Sequence, residues 1–304
     1  MAREDVRIPT RDGLSLGAWF FGGGDGRRPC VIMAHGFGAT RACGLSKFAE
    51  RFQAAGMHVL VFDYRFFGDS DGEPRQLLSV RTQLEDWASA IAHARGHADV
   101  DPDRVALWGT SYSGGAVVVA AARDGRVAAI SSLVPMMDAQ AVARDMRRVE
   151  GWSWMLRAAW RAIVDATRSF FGMEPLRIRI VGPPGSAAAI TAPGAESAYL
   201  ALVGPDWVNA VCARIMLTGG TFRPVLHVAK LPCPLLVQIG ERDQVVPVDA
   251  AERAASLAKE KATVLKYPAD HFDVYEGELF ERAVADELAF FERHLLERSP
   301  RSSA

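Results

Sequence analysis

Short apolar runs alternate with longer amphipathic runs along much of the chain. Four runs without charged side chains, at residues 30–34, 57–62, 105–108 and 127–134, are short and apolar, which predicts strands buried on both faces. Runs with apolar residues at helical spacing lie between them, at 45–55, at 80–94 and in the segment that ends at residue 122. Strands that alternate with helices predict a mostly parallel sheet covered by helices on both faces.

The pattern differs at the start of the chain and in its second half. Residues 6–8 and 14–21 are β-prone and flank a turn sequence at 11–13, which predicts a hairpin. Residues 136–230 are helical but irregular and include a Gly/Pro/Ala-rich patch at 182–194. So long an interruption is rarely structureless in a compact protein, so we predict a helical cap inserted at 136–230. The core then comprises residues 1–135 and 231–304.

The alternation resumes after the insertion. Strands are predicted at residues 234–239 and 263–267, and helices at 249–259 and about 278–296. Residues 299–304 are expected to fray.

Composition narrows the class of protein. The chain has 304 residues, 49% hydrophobic and 23% charged, with a net charge of −1, so no basic field attracts nucleic acid. Its four cysteines lack CxxC or zinc-type spacing, which favours free thiols in a reducing compartment. The N-terminus is charged where a signal peptide is apolar, and Arg123 and Asp124 interrupt the richest apolar stretch. We therefore expect a cytoplasmic protein without a membrane span.

A candidate nucleophile follows the strand predicted at 105–108. Ser111 stands in Gly109-Thr110-Ser111-Tyr112-Ser113-Gly114, between that strand and a helix of small residues. A strand-to-helix turn presents a serine above the sheet, and the amide of Tyr112 at the helix N-terminus can face a developing oxyanion. The usual G-x-S-x-G pattern has glycine where Ser113 stands. We interpret this serine as a tolerated small residue, and a plain structural turn is the alternative.

A second glycine-containing turn follows the strand predicted at 30–34. In His35-Gly36-Phe37-Gly38, the glycines permit backbone conformations that aim the Phe37 amide into the same cavity, as the second oxyanion donor. His35 itself is expected to be an ordinary buried, hydrogen-bonded histidine.

Two later strand ends supply an acid and a histidine. Asp243 lies just beyond the strand predicted at 234–239, and we prefer it to Glu241, which is closer to the strand, and to Asp138, at another strand end. His271 follows the strand predicted at 263–267, whereas His294 falls in the final amphipathic helix. The order Ser111, Asp243, His271 is the chain order of nucleophile, acid and base in one large class of serine hydrolases.

Other chemistries have weaker support in the sequence. His93 and His97 are spaced i, i+4, but no third metal ligand lies nearby, so an exposed surface is expected. Cys43 has no paired base, and the glycine runs lack nucleotide-binding spacing. No cofactor and no metal are therefore predicted.

These motifs resemble the α/β-hydrolase superfamily across nearly the whole chain. The resemblance rests on residues 35–38, 62–70, 107–115, 240–247 and 270–272. In detail the chain is similar to esterase-like members related to the Xaa-Pro dipeptidyl-peptidase and cocaine-esterase branch, and to dienelactone-hydrolase-like proteins. We expect no C-terminal jelly roll like that of the larger peptidases, and Ser111 stands where true dienelactone hydrolases have a cysteine. The resemblance implies eight strands, a catalytic triad and an oxyanion hole.

The expected function is carboxylesterase-like cleavage of a carboxylic ester or thioester of a small apolar substrate through an acyl-enzyme. Trp152, Trp154 and Phe272 are candidate substrate contacts. The alternatives are an acyltransferase or thioesterase acting on carrier-bound or polyketide-like substrates, a peptidase, and a non-catalytic ligand-binding protein. The expected partner is a small-molecule acyl substrate. A homodimer is an alternative that the sequence leaves open.

Overall fold

The computed structural model describes residues 3–297, so the tail at 299–304 lies outside the described residues. The strands are β1 (Arg3–Pro9), β2 (Ser15–Phe21), β3 (Arg28–Ala34), β4 (His58–Phe62), β5 (Val100–Thr110), β6 (Ala129–Leu133), β7 (Arg177–Val181), β8 (Ala188–Ile190), β9 (Val211–Cys212), β10 (Leu235–Gly240) and β11 (Ala262–Tyr267). The helices are α1 (Leu45–Ala54), α2 (Val80–Gly96), α3 (Tyr112–Asp124), α4 (Ala139–Phe170), α5 (Ala195–Leu202), α6 (Ile215–Thr218), α7 (Val248–Ala258) and α8 (Gly277–Phe291).

Eight of these strands form one sheet in the order β1-β2-β4-β3-β5-β6-β10-β11. β2 pairs antiparallel with β1 and with β4, and the other pairs are parallel. The predicted hairpin and mostly parallel sheet are thus confirmed. The central strands are buried on both faces, which is why they are apolar without alternation.

Helices cover both faces of the sheet. On one face, α1 and α8 meet through aromatic side chains, with the Phe52 and Phe291 rings 5.4 Å apart. On the other face, α2, α3 and α7 contribute Trp87, Val118 and Ala254 to a second core. Successive residues of β3 belong to opposite cores, as the twofold periodicity of a strand requires.

Two segments differ from the sequence predictions. β5 begins at Val100, five residues before the strand predicted at 105–108, and its register against β3 shifts between Arg28 and Cys30. The insertion at 136–230 contains helices and also a separate three-stranded sheet in the order β8-β7-β9. The predicted helical insertion thus also contains strands that the sequence analysis does not predict. Its strands have only two to five residues, too few for hydrophobic periodicity to detect.

The carboxyl ends of the parallel strands lie at one edge of the sheet, and the predicted site residues follow these strand ends. β3 ends before His35, β5 ends before Ser111, and β10 and β11 end shortly before Asp243 and His271. Among residues 3–297, no helix combines the length and apolarity needed to cross a membrane.

Candidate active site

Ser111 lies on a tight turn between β5 and α3. Its φ of 55° and ψ of −118° fall in a region that residues other than glycine rarely adopt. With these angles Ser111 belongs to neither the strand nor the helix. Its amide donates to the Leu133 carbonyl at 2.9 Å, and its carbonyl accepts from the Met136 amide at 2.9 Å. A Cβ on Gly109 would lie 2.2 Å from the Ser113 carbonyl oxygen, so only glycine fits there.

His271 connects the serine to a carboxylate. Its Nε2 lies 3.0 Å from Ser111 Oγ, and its Nδ1 lies 2.6 Å from Asp243 Oδ2. The side chains of His271 and Asp243 are almost fully buried. The other oxygen of Asp243 accepts from the amides of Val245 and Val246, each at 2.8 Å, which fixes the carboxylate against the imidazole. The structure therefore brings together the three residues that the sequence selects from separate strand ends.

The alternative residues have other contacts. Asp138 caps α4 by accepting from the Gln140 amide at 3.0 Å and pairs with Arg223 at 2.9 Å. Glu241 is exposed. Burial raises the pKa of the Cys43 thiol, which keeps it in the neutral, weakly nucleophilic form. Within residues 3–297, no three His, Cys, Asp or Glu residues come together as a metal-ligand set.

Ser113 joins the turn at Ser111 to the loop at residues 35–38. Its hydroxyl donates to the His35 carbonyl and accepts from the Tyr64 hydroxyl, whose oxygen is 2.6 Å away. The Tyr64 oxygen in turn accepts from Trp87 Nε1 at 2.8 Å. Burial raises the pKa of Tyr64, so it stays a protonated donor. The Trp87 indole can only donate and the His35 carbonyl can only accept. Each of the two hydroxyls between them therefore accepts from the Trp87 side and donates toward His35.

His35 holds the next peptide unit of this loop. Its Nδ1 lies 3.0 Å from the Gly36 carbonyl oxygen, so Nδ1 carries the proton. Burial lowers the pKa of His35 to about 4, which keeps the imidazole neutral. A Cβ on Gly36 would lie 3.2 Å from Ser111 Cβ, so the loop passes directly beside the serine. His35 is thus a buried, hydrogen-bonded histidine.

The insertion binds the two remaining carbonyls of the loop. The Tyr199 hydroxyl donates to the Phe37 carbonyl at 2.8 Å, and Trp207 Nε1 donates to the Gly38 carbonyl at 2.9 Å. By contrast, the amides of Phe37 and Tyr112 have no hydrogen-bond acceptor among the described residues. The carbonyls of the same two peptides are hydrogen-bonded, that of Gly36 to His35 and that of Ser111 to the Met136 amide. The amides of Phe37 and Tyr112 are therefore available to an oxygen atom of a bound molecule. Sequence reasoning missed Tyr199 and Trp207, because nothing local relates them to a loop about 160 positions earlier.

A cavity of about 440 Å³, part of it open to solvent, lies beside Ser111 and His271. Its lining is largely apolar, with a few polar groups from Thr110, Tyr199 and Tyr275. The apolar members are Phe37, Leu45, Ile190, Leu202 and Phe272. The insertion contributes Ile190, Tyr199 and Leu202, so it forms one wall of the cavity.

The three predicted substrate contacts fall in different places. Phe272 lines the cavity, and its ring centroid lies 5.0 Å from that of His271. Trp154 is buried within the insertion, where its Nε1 donates to the Ser186 carbonyl at 2.7 Å. Trp152 is largely exposed, and neither tryptophan lines the cavity at Ser111. The prediction for Trp152 and Trp154 is therefore corrected, because one packs the insertion and the other faces solvent.

Comparison with known proteins gives a consistent result. The model of the alpha/beta hydrolase family matches residues 31–286. The quorum-quenching protein AidA of Acinetobacter baumannii is 41% identical over 268 residues, 87% of this chain and 86% of that protein. The polyketide transferase af380 of Aspergillus fumigatus is 30% identical, over 97% of this chain and 99% of its own. The crystal structure of the alpha/beta hydrolase GrgF from Penicillium superposes with a TM-score of 0.83 at 26% identity, over 98% of this chain and 100% of that one.

Proposed function

Because this chain belongs to the alpha/beta hydrolase family, we propose that it is a serine hydrolase that cleaves an ester-type bond of a small apolar substrate. The observation that carries the proposal is the hydrogen-bonded line from Ser111 Oγ through His271 to Asp243, with separations of 3.0 and 2.6 Å. A serine paired with a base, and a base oriented by a carboxylate, is the arrangement that nucleophilic acyl chemistry requires.

In the proposed first step, Ser111 Oγ attacks the substrate carbonyl while His271 Nε2 accepts the hydroxyl proton. Asp243 keeps the other imidazole proton on Nδ1 and stabilises the imidazolium. The amides of Phe37 and Tyr112 donate to the oxyanion. The tetrahedral intermediate collapses as the bond to the leaving group breaks, and His271 gives that group its proton. Water, activated by His271, then attacks the acyl-enzyme, releases the acid and restores Ser111.

The cavity supports a small acyl group. Its volume of about 440 Å³ includes space that is open to solvent, so the enclosed part is smaller and suits a small acyl group. Phe37, Leu202 and Phe272 give it an apolar surface. Its described lining residues include no Asp, Glu, Lys or Arg that could bind a charged substrate. Short and medium acyl chains are therefore the preferred substrates.

Acyl transfer is the second candidate. The relative named a polyketide transferase aligns with nearly the whole chain, which supports the same acyl-enzyme being resolved by an alcohol or another acceptor instead of water. The two reactions share the first step and differ only in the second nucleophile. The similarity to a relative named a quorum-quenching protein makes quorum quenching a further role to test.

The test is turnover of a p-nitrophenyl ester series from acetyl to dodecanoyl, with an acyl thioester and a cyclic ester alongside. We expect activity to peak at short or medium chains and to vanish in Ser111→Ala, while the exposed control Ser153→Ala keeps full activity. Added alcohol that diverts product from acid to ester would identify acyl transfer. Undiminished turnover in Ser111→Ala would contradict the proposal, and absence of turnover on every substrate would favour a ligand-binding protein.

A further inference from the structure

The insertion carries a row of large apolar side chains on its solvent side. α4 bends at Gly151, where φ is 79° and ψ is 174°, and its second part runs from residue 152 to residue 170. The buried side of this part packs through Trp154, Ala162 and Asp165. The opposite side, which we call the outer face of α4, exposes Trp152, Leu156, Trp160, Ile163 and Phe170, and continues into Phe171 and Met173.

The exposed area of this face is that of a protein interface. Its four aromatic residues, Trp152, Trp160, Phe170 and Phe171, are 65%, 66%, 84% and 69% exposed. At about 200 Å² for an aromatic side chain, they alone present on the order of 550 Å². The largest apolar patch on a typical monomer covers about 300–600 Å², and a stable dimer buries about 800 Å² per partner. The aliphatic neighbours on the outer face bring the total into that second range.

Two pairs of outer-face residues, and a third pair that includes the exposed Thr167 beside this face, are equidistant from a point between residues 161 and 162. Trp160 and Ile163 are equally far from this point, as are Leu156 and Thr167, and Trp152 and Phe171. In an antiparallel pair of identical helices, residues equidistant from a twofold axis face each other. An axis at this point would set Trp160 against Ile163 of the second copy and bring the aromatic residues at the two ends together.

The charges beside the outer face favour a second copy over a lipid surface. Arg157, Arg161 and Arg168 lie along one flank at 100° per residue, whereas the other flank holds Ala159 and Ala166. A helix that lies in a membrane interface carries a Lys/Arg-rich polar face opposite its apolar face, whereas the opposite side of α4 is buried against the protein. Here the arginines fall on one rim of the helix pair, where they stay in solvent.

We propose that two copies of this chain associate through the outer face of α4, antiparallel, with the twofold axis between residues 161 and 162. Association removes the exposed aromatic side chains from water, which supplies its driving force. Because the arginines of both copies lie on the same rim and repel each other, raising the salt concentration strengthens the dimer.

Sedimentation equilibrium tests the association. The parent chain is expected to be a dimer, and Trp160→Glu and Ile163→Lys are each expected to raise the dissociation constant by at least about a hundredfold, since each buries a charge at the centre of the interface. Leu226→Glu is the matched control, because Leu226 is exposed outside this face. Unchanged thermal unfolding of the variants shows that they fold. A parent chain that stays monomeric at all salt concentrations overturns the proposal, and a monomer that co-sediments with phosphatidylglycerol vesicles assigns the face to lipid instead.

Cross-linking tests the register. The native cysteines are all buried, so introduced cysteines are the accessible thiols. Leu156→Cys combined with Thr167→Cys is expected to cross-link efficiently with a short bis-maleimide. Leu156→Cys alone is not expected to cross-link, because the same cysteine of the second copy lies 11 residues along the partner helix, about 16 Å away. Equal cross-linking of the single and double variants would refute the antiparallel register.

Discussion

Replacing Ser113 by alanine removes the hydroxyl that joins the turn at Ser111 to the loop carrying the Phe37 amide. The change leaves the Tyr64 hydroxyl without an acceptor and the His35 carbonyl without its donor, both in the interior. Each unsatisfied buried group costs about 1–3 kcal/mol of stability. The catalytic consequence is separate, because the His35 carbonyl belongs to the peptide that precedes Gly36 and positions the Phe37 amide beyond it.

The expected size of the catalytic effect follows from oxyanion-hole energetics. Complete loss of one donor lowers kcat by about a hundredfold to a thousandfold. Ser113→Ala displaces the Phe37 amide without removing it, so we expect kcat to fall by about tenfold to a hundredfold. KM should change by less than about twofold, since the lost contact is made mainly in the transition state. Steady-state hydrolysis of the best p-nitrophenyl ester measures both constants.

Tyr64→Phe is the control that separates positioning from stability. It leaves the Trp87 indole N–H without an acceptor but keeps the hydrogen bond from Ser113 to the His35 carbonyl. Its stability loss should match that of Ser113→Ala, while its kcat stays within about threefold of the parent value. A boronic acid that mimics the tetrahedral intermediate should lose affinity only with Ser113→Ala. Equal kcat losses in the two variants, or an unchanged kcat in Ser113→Ala, would refute the reasoning.

Three further predictions address other parts of the structure. Tyr199→Phe removes the donor to the Phe37 carbonyl, so kcat should fall by about tenfold with little change in KM; an unchanged kcat would show that this contact is dispensable. Gly109→Ala should give no soluble folded protein, as judged by circular dichroism, because its Cβ would meet backbone at 2.2 Å; a folded, active variant would contradict this. Burial raises the pKa of Glu287 from 4.5 to about 8, so this residue contributes stability below pH 4.5 that is lost as the pH rises to about 8. Urea unfolding should show Glu287→Gln gaining stability relative to the parent between pH 5 and pH 8, by on the order of a few kcal/mol, and equal differences at both pH values would argue against a buried protonated carboxyl.

The core of the fold and the positions of the three central site residues could be predicted because both depend on local patterns. Buried parallel strands are apolar over their whole length, and their carboxyl ends meet at one sheet edge. Ser111 and Asp243 each follow such a strand, and His271 follows the parallel edge strand β11, so the sequence suggests that the three residues come together.

The remaining features depend on contacts between distant segments. Ser113 looked like a tolerated small residue, and its hydrogen bonds to His35 and Tyr64 become visible only when β3 and β5 are placed side by side. The bonds of Tyr199 and Trp207 to the loop at 35–38 cross about 160 residues of chain. Trp152 and Trp154 were candidates by residue type alone, and residue type does not show that α4 lies away from the cavity.

The central claim is that Ser111 is an activated nucleophile, and a fluorophosphonate probe tests it most directly. Intact mass and peptide mapping of the labelled chain should show one adduct, on the peptide that contains Ser111. His271→Ala should slow labelling strongly, because the serine loses the base that accepts its proton, and Ser111→Ala should abolish it. An adduct on another residue, or unimpaired labelling of Ser111→Ala, would contradict the claim.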